Sequence, residues 1–202
     1  VAAADGGELD VVHFDRGSPA KRLREMAEKG DASLIVLGST HRAAFGSVAP
    51  GSVAEQLFKG TPARLLIAPR GFARAAASDE LRDELRVIAV GFNGSLESRA
   101  ALDEAIVLAE RFGATIRVVA VSEPAPAAVG PAESAPSVPP AYDLQSALLS
   151  TCAELPEELR AQPVYERGDP VAKLLERAEE GVDLLVLGSR GFGPVMRAMV
   201  GS

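Results

Sequence analysis

Short apolar runs closed by glycine or proline alternate along this chain with segments whose apolar residues fall three and four positions apart. Residues 34–38 (LIVLG), 63–69 (ARLLIAP), 86–91 (RVIAVG), 115–121 (TIRVVAV), 163–167 (PVYER) and 184–187 (LLVL) have the length and β-branched content of strands, and 9–15 (LDVVHFD) alternates enough to be another. Between them lie helical stripes. Ala20, Leu23 and Ala27 follow a Ser18-Pro19 start and stop near Gly30; Val53, Leu57 and Phe58 mark a second helix. Leu102, Ala105, Ile106, Ala109 and Phe112 run from a Ser95 cap to Gly113. From Tyr142, Leu144, Leu148, Cys152 and Leu155 form a stripe that Pro156 should end, and Asp169-Pro170 opens a helix whose inner face carries Val171, Leu174, Leu175 and Ala178. Strands that alternate with helices pair in parallel through right-handed crossovers, so the expected class is α/β, an open parallel sheet with helices on both faces.

The pattern also repeats. Residues 12–40, VHFDRGSPAKRLREMAEKGDASLIVLGST, match 164–190, VYERGDPVAKLLERAEEGVDLLVLGSR; Gly17 and Gly168, like Gly30 and Gly181, stand 151 apart, and Gly38 and Gly188, like Gly51 and Gly201, stand 150 apart. The chain therefore reads as a window on a longer tandem protein. Residues 1–71 are expected to be the C-terminal part of one repeat. A linker, small and charged, follows at 72–85 (FARAAASDELRDEL), with a short helical turn at its end. Residues 86–202 are expected to be a second repeat without its last helix and strand, interrupted by a mobile proline- and alanine-rich loop at 122–141.

Composition removes several classes of function. With 47% hydrophobic and 24% charged residues over 202 positions the balance is that of a soluble globular protein, and a net charge of −7 without a basic tract argues against nucleic acid as a partner. No apolar run reaches the ~20 residues of a membrane span, and the N-terminus lacks the order of a signal peptide, which makes a cytoplasmic location the default. Cys152 is the single cysteine and sits in an apolar helical setting, and His13 and His41 have no cluster of ligating residues beside them, so neither a metal site nor a catalytic nucleophile is expected.

Candidate chemistry concentrates in two turns. After the strand at 184–187 come Gly188, Gly191 and Gly193, then Gly201-Ser202. Glycine lets an anion approach bare backbone N–H groups, and phosphate is the anion that such a loop suits. The second is Phe92-Asn93-Gly94-Ser95. In an open parallel sheet ligands bind at the carboxyl ends of strands where strand order reverses. If the strands at 86–91 and 184–187 are neighbours, both turns face one crevice, with Asn93 near a base or sugar and Gly188, Arg190, Gly191, Gly201 and Ser202 on phosphates.

Residues 87–109, VIAVGFNGSLESRAALDEAIVLA, and 188–202, GSRGFGPVMRAMVGS, carry a family resemblance. The first resembles the opening strand, turn and helix of universal stress proteins; the second fits that family's ATP-binding pattern G-x2-G-x9-G-S/T at Gly188, Gly191, Gly201 and Ser202. The resemblance implies a Rossmann-like domain of strand order 3-2-1-4-5 that binds ATP, alone or with Mg2+, with Val121 where the family packs an apolar residue near adenine. It also implies dimers, either of two chains or of the two repeats within one. Two positions depart from the family. Asn93 stands where an aspartate is usual, and His41 occupies the second glycine position in the first repeat, where its side chain is expected to intrude on phosphate, the alternative being that it donates to one. The function implied is regulatory nucleotide binding in stress response without a catalytic step, slow ATP hydrolysis being left open. The alternative is a dimerisation or interaction module of the same fold that binds no nucleotide, such as the regulatory domain of a transporter.

Overall fold

The computed structural model describes residues 12–13, 17–42, 44, 48–61, 63–77, 85–123 and 143–188. Most of the expected strand at 9–15, most of the loop at 122–141, and Arg190, Gly191, Gly201 and Ser202 lie outside them. The chain divides into two compact units, residues 1–81 and 82–202.

The first unit holds helix α1 (Pro19–Lys29), strand β1 (Leu34–Gly38), helix α2 (Ser52–Phe58), strand β2 (Arg64–Ala68) and helix α3 (Phe72–Ala77). Strands β1 and β2 are parallel, in register from Leu34↔Arg64 to Gly38↔Ala68. Helices α1 and α2 lie against each other and bury Ala20, Ala27, Ile35 and Leu57, while Leu34, Val36 and Leu66 are exposed. Proline at the first position of α1 fixes φ where no N–H is needed. Ser18 precedes it as expected but does not cap with its side chain; its hydroxyl instead donates to Gln56 Oε1 at 3.2 Å and links α1 to α2. Helix α3 occupies the start of the stretch read as a linker, where its alanines favour helix; the helical turn expected at the end of that stretch falls on 78–84, outside the described residues.

The second unit contains strand β3 (Val87–Gly91), helix α4 (Leu96–Phe112), strand β4 (Thr115–Ser122), helix α5 (Leu144–Ala153), a 3-10 turn at Glu157–Leu159, strand β5 (Gln162–Arg167), helix α6 (Pro170–Ala178) and strand β6 (Leu184–Leu187). All pairings are parallel and the order is β5-β4-β3-β6, which is 3-2-1-4 counted within the unit. On one face Ile88, Val90, Ile116, Val118 and Ala120 pack with Leu102, Ala105 and Ala109 of α4 and Leu148 of α5. The other face meets α6, where the Arg117 guanidinium donates to the Glu180 carbonyl at 3.3 Å and the Glu166 carboxylate pairs with Lys173 and Arg177. Helices thus flank the sheet on both faces.

Local signals explain the element ends. Ser95 Oγ accepts from the N–H of Ser98 at 3.2 Å, Asp169 Oδ1 accepts from Ala172 at 2.7 Å, and Gly113 closes α4 at φ +69°, a conformation that costs glycine little. A long-range cap holds the opposite edge of the sheet: Asp183 Oδ2 accepts from the N–H groups of Arg86 and Val87, both at 2.9 Å, where β3 begins beside β6. The helix predicted from Tyr142 ends at Ala153, before Pro156, and Cys152 is half-buried in it with burial pushing its thiol pKa up, which makes it a packing residue.

Candidate functional site

Pairing of β3 with β6 brings Gly188, where the second ligand-type turn begins, to the same edge as the Asn93 turn. Gly91 is in register with Leu187, so Phe92 and Gly188 leave the sheet side by side. Gly91 is also paired with Val119 of β4, and the Phe92 N–H donates to the Val119 carbonyl at 2.8 Å, which sets Val121 two residues further along the neighbouring strand. Asn93, Val121 and Gly188 therefore stand at the carboxyl ends of adjacent strands. Arg190, Gly191, Gly201 and Ser202 are outside the described residues.

Each of the three is held by a different device. Asn93 is exposed, and its Oδ1 accepts from the Ser95 N–H at 3.0 Å, so the side chain folds the turn that starts α4. Phe92, immediately before it, is buried in the core, with the Arg99 guanidinium 6.0 Å from its ring centroid; it anchors the turn from below. Val121 is half-buried and in register with Glu166, whose Oε1 lies 2.8 Å from Arg177 Nε and whose Oε2 lies 3.6 Å from Lys173 Nζ. The Arg177 contact has ion-pair distance without hydrogen-bond alignment. Lys173 also pairs with Glu176 at 2.6 Å, and Glu176 foremost with Glu166 raises its pKa, so its charge is committed within α6 and β5. Behind the wall, the Tyr165 hydroxyl donates to Ser122 Oγ at 3.0 Å.

Gly188 is fixed by lack of space. A Cβ there would run into the carbonyl of Glu97, with the Glu97 carbon at 2.5 Å and the Ser98 nitrogen at 2.9 Å, all backbone of the first turn of α4. Gly91 is also crowded, but by a side chain: a Cβ there would meet Leu187 Cδ2 at 2.6 Å. A leucine methyl can rotate away and a helix backbone cannot. Gly91→Ala is therefore expected to lower stability by about 1 kcal/mol, measured by urea denaturation, and to leave the β3–β6 pairing intact; a loss above about 3 kcal/mol would show that Leu187 is immobile there.

In the first unit the corresponding edge lies at Gly38 and Gly51-Ser52. A cavity of about 480 Å³ opens there, lined among others by Pro19, Leu23, Gly38, Thr40, Gly51 and Ser52. Ser39 closes the loop above it by accepting from the Ala49 N–H at 2.6 Å and donating back to the Ala49 carbonyl at 3.2 Å. His41, expected to intrude, is exposed and does not line the cavity. Both units enter the helix before this edge in the same way, through a glycine at positive φ, Gly17 at +108° and Gly168 at +142°, followed two residues on by proline.

No cluster of ligating residues for a metal and no helix long and apolar enough to cross a membrane occur among the described residues. Sequence reasoning missed Asp183 and Glu166, because their partners, Arg86 and Val87 for one and Lys173 and Arg177 for the other, are assigned only once strands are placed; the acid at each strand edge was the available sign.

The profile of the universal stress protein family matches residues 1–69 and 84–202. A universal stress protein of Mycobacterium bovis is 28% identical over 214 aligned residues, covering 98% of this chain and 68% of that protein, and one from Mycobacterium tuberculosis matches to the same extent. Among solved structures, a universal stress protein from Archaeoglobus fulgidus aligns over 87% of this chain with a TM-score of 0.57 at 21% identity, and this chain spans 57% of its length. A universal stress protein solved in complex with cAMP aligns over 58% of this chain and 85% of its own, with a TM-score of 0.39 at 22% identity.

Proposed function

We propose that this chain, which belongs to the universal stress protein family, binds an adenine nucleotide, ATP in the first place, at the carboxyl edge of β3, β4 and β6 and acts as a regulatory protein in stress response without a catalytic step of its own. The observation that carries the reading is the β3–β6 register, which sets Gly188, the first residue of G-x2-G-x9-G-S, beside the Asn93 turn. In this arrangement Asn93 and Val121 face the base or sugar, and Gly188, Arg190, Gly191, Gly201 and Ser202 hold phosphates through backbone N–H groups and the arginine charge. Mg2+ would enter as the companion of ATP, bound through the phosphates as is usual for this ion. The working unit is a homodimer or a pair of repeats in one chain, located in the cytoplasm.

Calorimetric titration of the full-length protein with ATP, AMP and cAMP tests this. Saturable binding that Gly191→Glu abolishes is the expected result. The absence of binding to any of the three, or binding that the substitution leaves unchanged, overturns it.

One observation favours a second reading, an interaction module. Helix α6 carries an apolar stripe, yet Val171 is 60% and Leu175 is 53% exposed. Self-association in the absence of nucleotide, lost on Leu175→Lys, would support that module in place of nucleotide binding.

A further inference from the structure

The amide of Asn93 is half spent before any ligand arrives. Its Oδ1 accepts from the Ser95 N–H at 3.0 Å, while its Nδ2 has no partner among the described residues and stands exposed at the end of β3. A carboxamide offers an oxygen with two lone pairs and an NH2 group; with one lone pair engaged inside the turn, what it adds for the crevice is chiefly a donor, and in either case a group without charge. Aspartate in the same place would satisfy Ser95 with one carboxylate oxygen and turn the other outward, an acceptor bearing negative charge. The two residues hold the same turn and offer a ligand opposite chemistry.

The other carboxylate at this wall is compensated as well. Glu166, cross-strand from Val121, lies between Arg177 at 2.8 Å and Lys173 at 3.6 Å. Glu97, in the first turn of α4, is the acid next to the Asn93 turn along the chain. In dinucleotide-binding folds an acid at a strand end accepts from a ribose hydroxyl, whereas a phosphate ester there is accommodated by a nearby arginine; a neutral residue in place of the acid removes the like-charge repulsion that the ester would meet.

We infer that Asn93 is a specificity-determining residue and that it opens the site to adenine nucleotides phosphorylated on the ribose as well as to those with a free ribose. The inference rests on the nucleotide reading above. A phosphate on the 2′ or 3′ oxygen presents only acceptors, which suit the Nδ2 donor, and it meets no uncompensated charge from position 93 or from Glu166.

Titration of the full chain with AMP, adenosine 2′,5′-bisphosphate and adenosine 3′,5′-bisphosphate tests it, on wild type, Asn93→Asp, Asn93→Ser and, as a control for the neighbouring acid, Glu97→Gln. The wild type is expected to bind one bisphosphate within about threefold of AMP, and Asn93→Asp to lower that ratio by about tenfold, the cost of one facing like charge. Asn93→Ser, a neutral turn former, is expected to keep the ratio near that of wild type, and the ligand-free variants to melt together because the turn survives in each. Wild type that binds AMP but rejects both bisphosphates, or an Asn93→Asp ratio equal to that of wild type, overturns the inference and leaves nucleotide binding standing. A ratio that Asn93→Ser lowers as much as Asn93→Asp does, or that Glu97→Gln raises tenfold, assigns the selectivity elsewhere and overturns it too. Wild type that binds neither AMP nor a bisphosphate overturns the inference, and it overturns the nucleotide reading as well where ATP and cAMP also fail to bind.

Discussion

Gly188→Ala is expected to melt about 10 °C below wild type and to lose nucleotide binding, whereas Gly38→Ala, the same position of the repeat in the first unit, is expected to melt no lower than wild type and at most about 5 °C above it. The difference lies in what each Cβ would meet. At Gly188 it would enter the backbone of Glu97 and Ser98; at Gly38 nothing lies within 4 Å. The obstructing turn cannot give way easily. Its Ser98 N–H donates to Ser95 Oγ at 3.2 Å, the buried Ser98 hydroxyl donates to the Ser95 carbonyl at 2.9 Å, and the Arg99 N–H donates to the same carbonyl at 3.0 Å. Moving it uncaps α4, so the alternative is displacement of β6 from β3, at a cost of roughly 3 kcal/mol for overpacking against a fixed backbone. That displacement also separates the two turns of the candidate site. At Gly38 the added methyl reaches open space, and lower unfolded-state entropy gives a gain of at most about 1 kcal/mol. Differential scanning calorimetry of the two variants is the check; equal melting temperatures would mean that the α4–β6 approach is looser than the structure shows.

That contrast marks where sequence reasoning reaches its limit. Periodicity placed β1 to β6 and five of the six helices, because a two-residue or 3.6-residue spacing is local and survives without knowledge of the fold. The convergence of Asn93 with Gly188 was legible as a condition, that the first and fourth strands of the second unit be neighbours, and the register of Gly91 with Leu187 meets it. What lies opposite a residue was not legible. Gly38 and Gly188 look alike in the repeat, and only the packing of α4 distinguishes them. The α6 stripe foretold Val171 and Leu175 as an inner face, and both are exposed, since periodicity tells which side of a helix is apolar and not whether anything covers it. Phe112 failed for a related reason: it sits in the last turn of α4 and is exposed, with the Arg111 guanidinium 6.0 Å from its ring centroid. Asp183 has partners 97 and 96 residues away, so the acid before β6 could be seen in the sequence but the N–H groups that it caps could not.

Leu57→Ala is expected to remove about 3 kcal/mol from the first unit while leaving the second unchanged. Leu57 is fully buried and packs with Ala20, Ala27 and Ile35, so it is the largest contributor to a cluster in which two of the other three buried members are alanines. Truncation loses the transfer free energy of three carbons and leaves a cavity that alanines cannot fill, which places the cost within the usual 2–5 kcal/mol for a buried leucine. The partly buried Leu23, Leu37, Val53 and Leu65 around it can close only part of the gap. Because the cluster at Leu57 and the cluster around Ile88, Ile116 and Leu148 have no residue in common among the described residues, the loss should stay local. Amide hydrogen exchange reads this directly. Protection is expected to fall about a hundredfold across β1 and β2, the exchange equivalent of 3 kcal/mol, and to persist in β3 and β4. A parallel loss in all four strands would show that the two cores unfold as one, and the Gly188→Ala and Gly38→Ala comparison would then have to be read as a single global transition in which the same methyl group is tolerated on one strand end and not on the other.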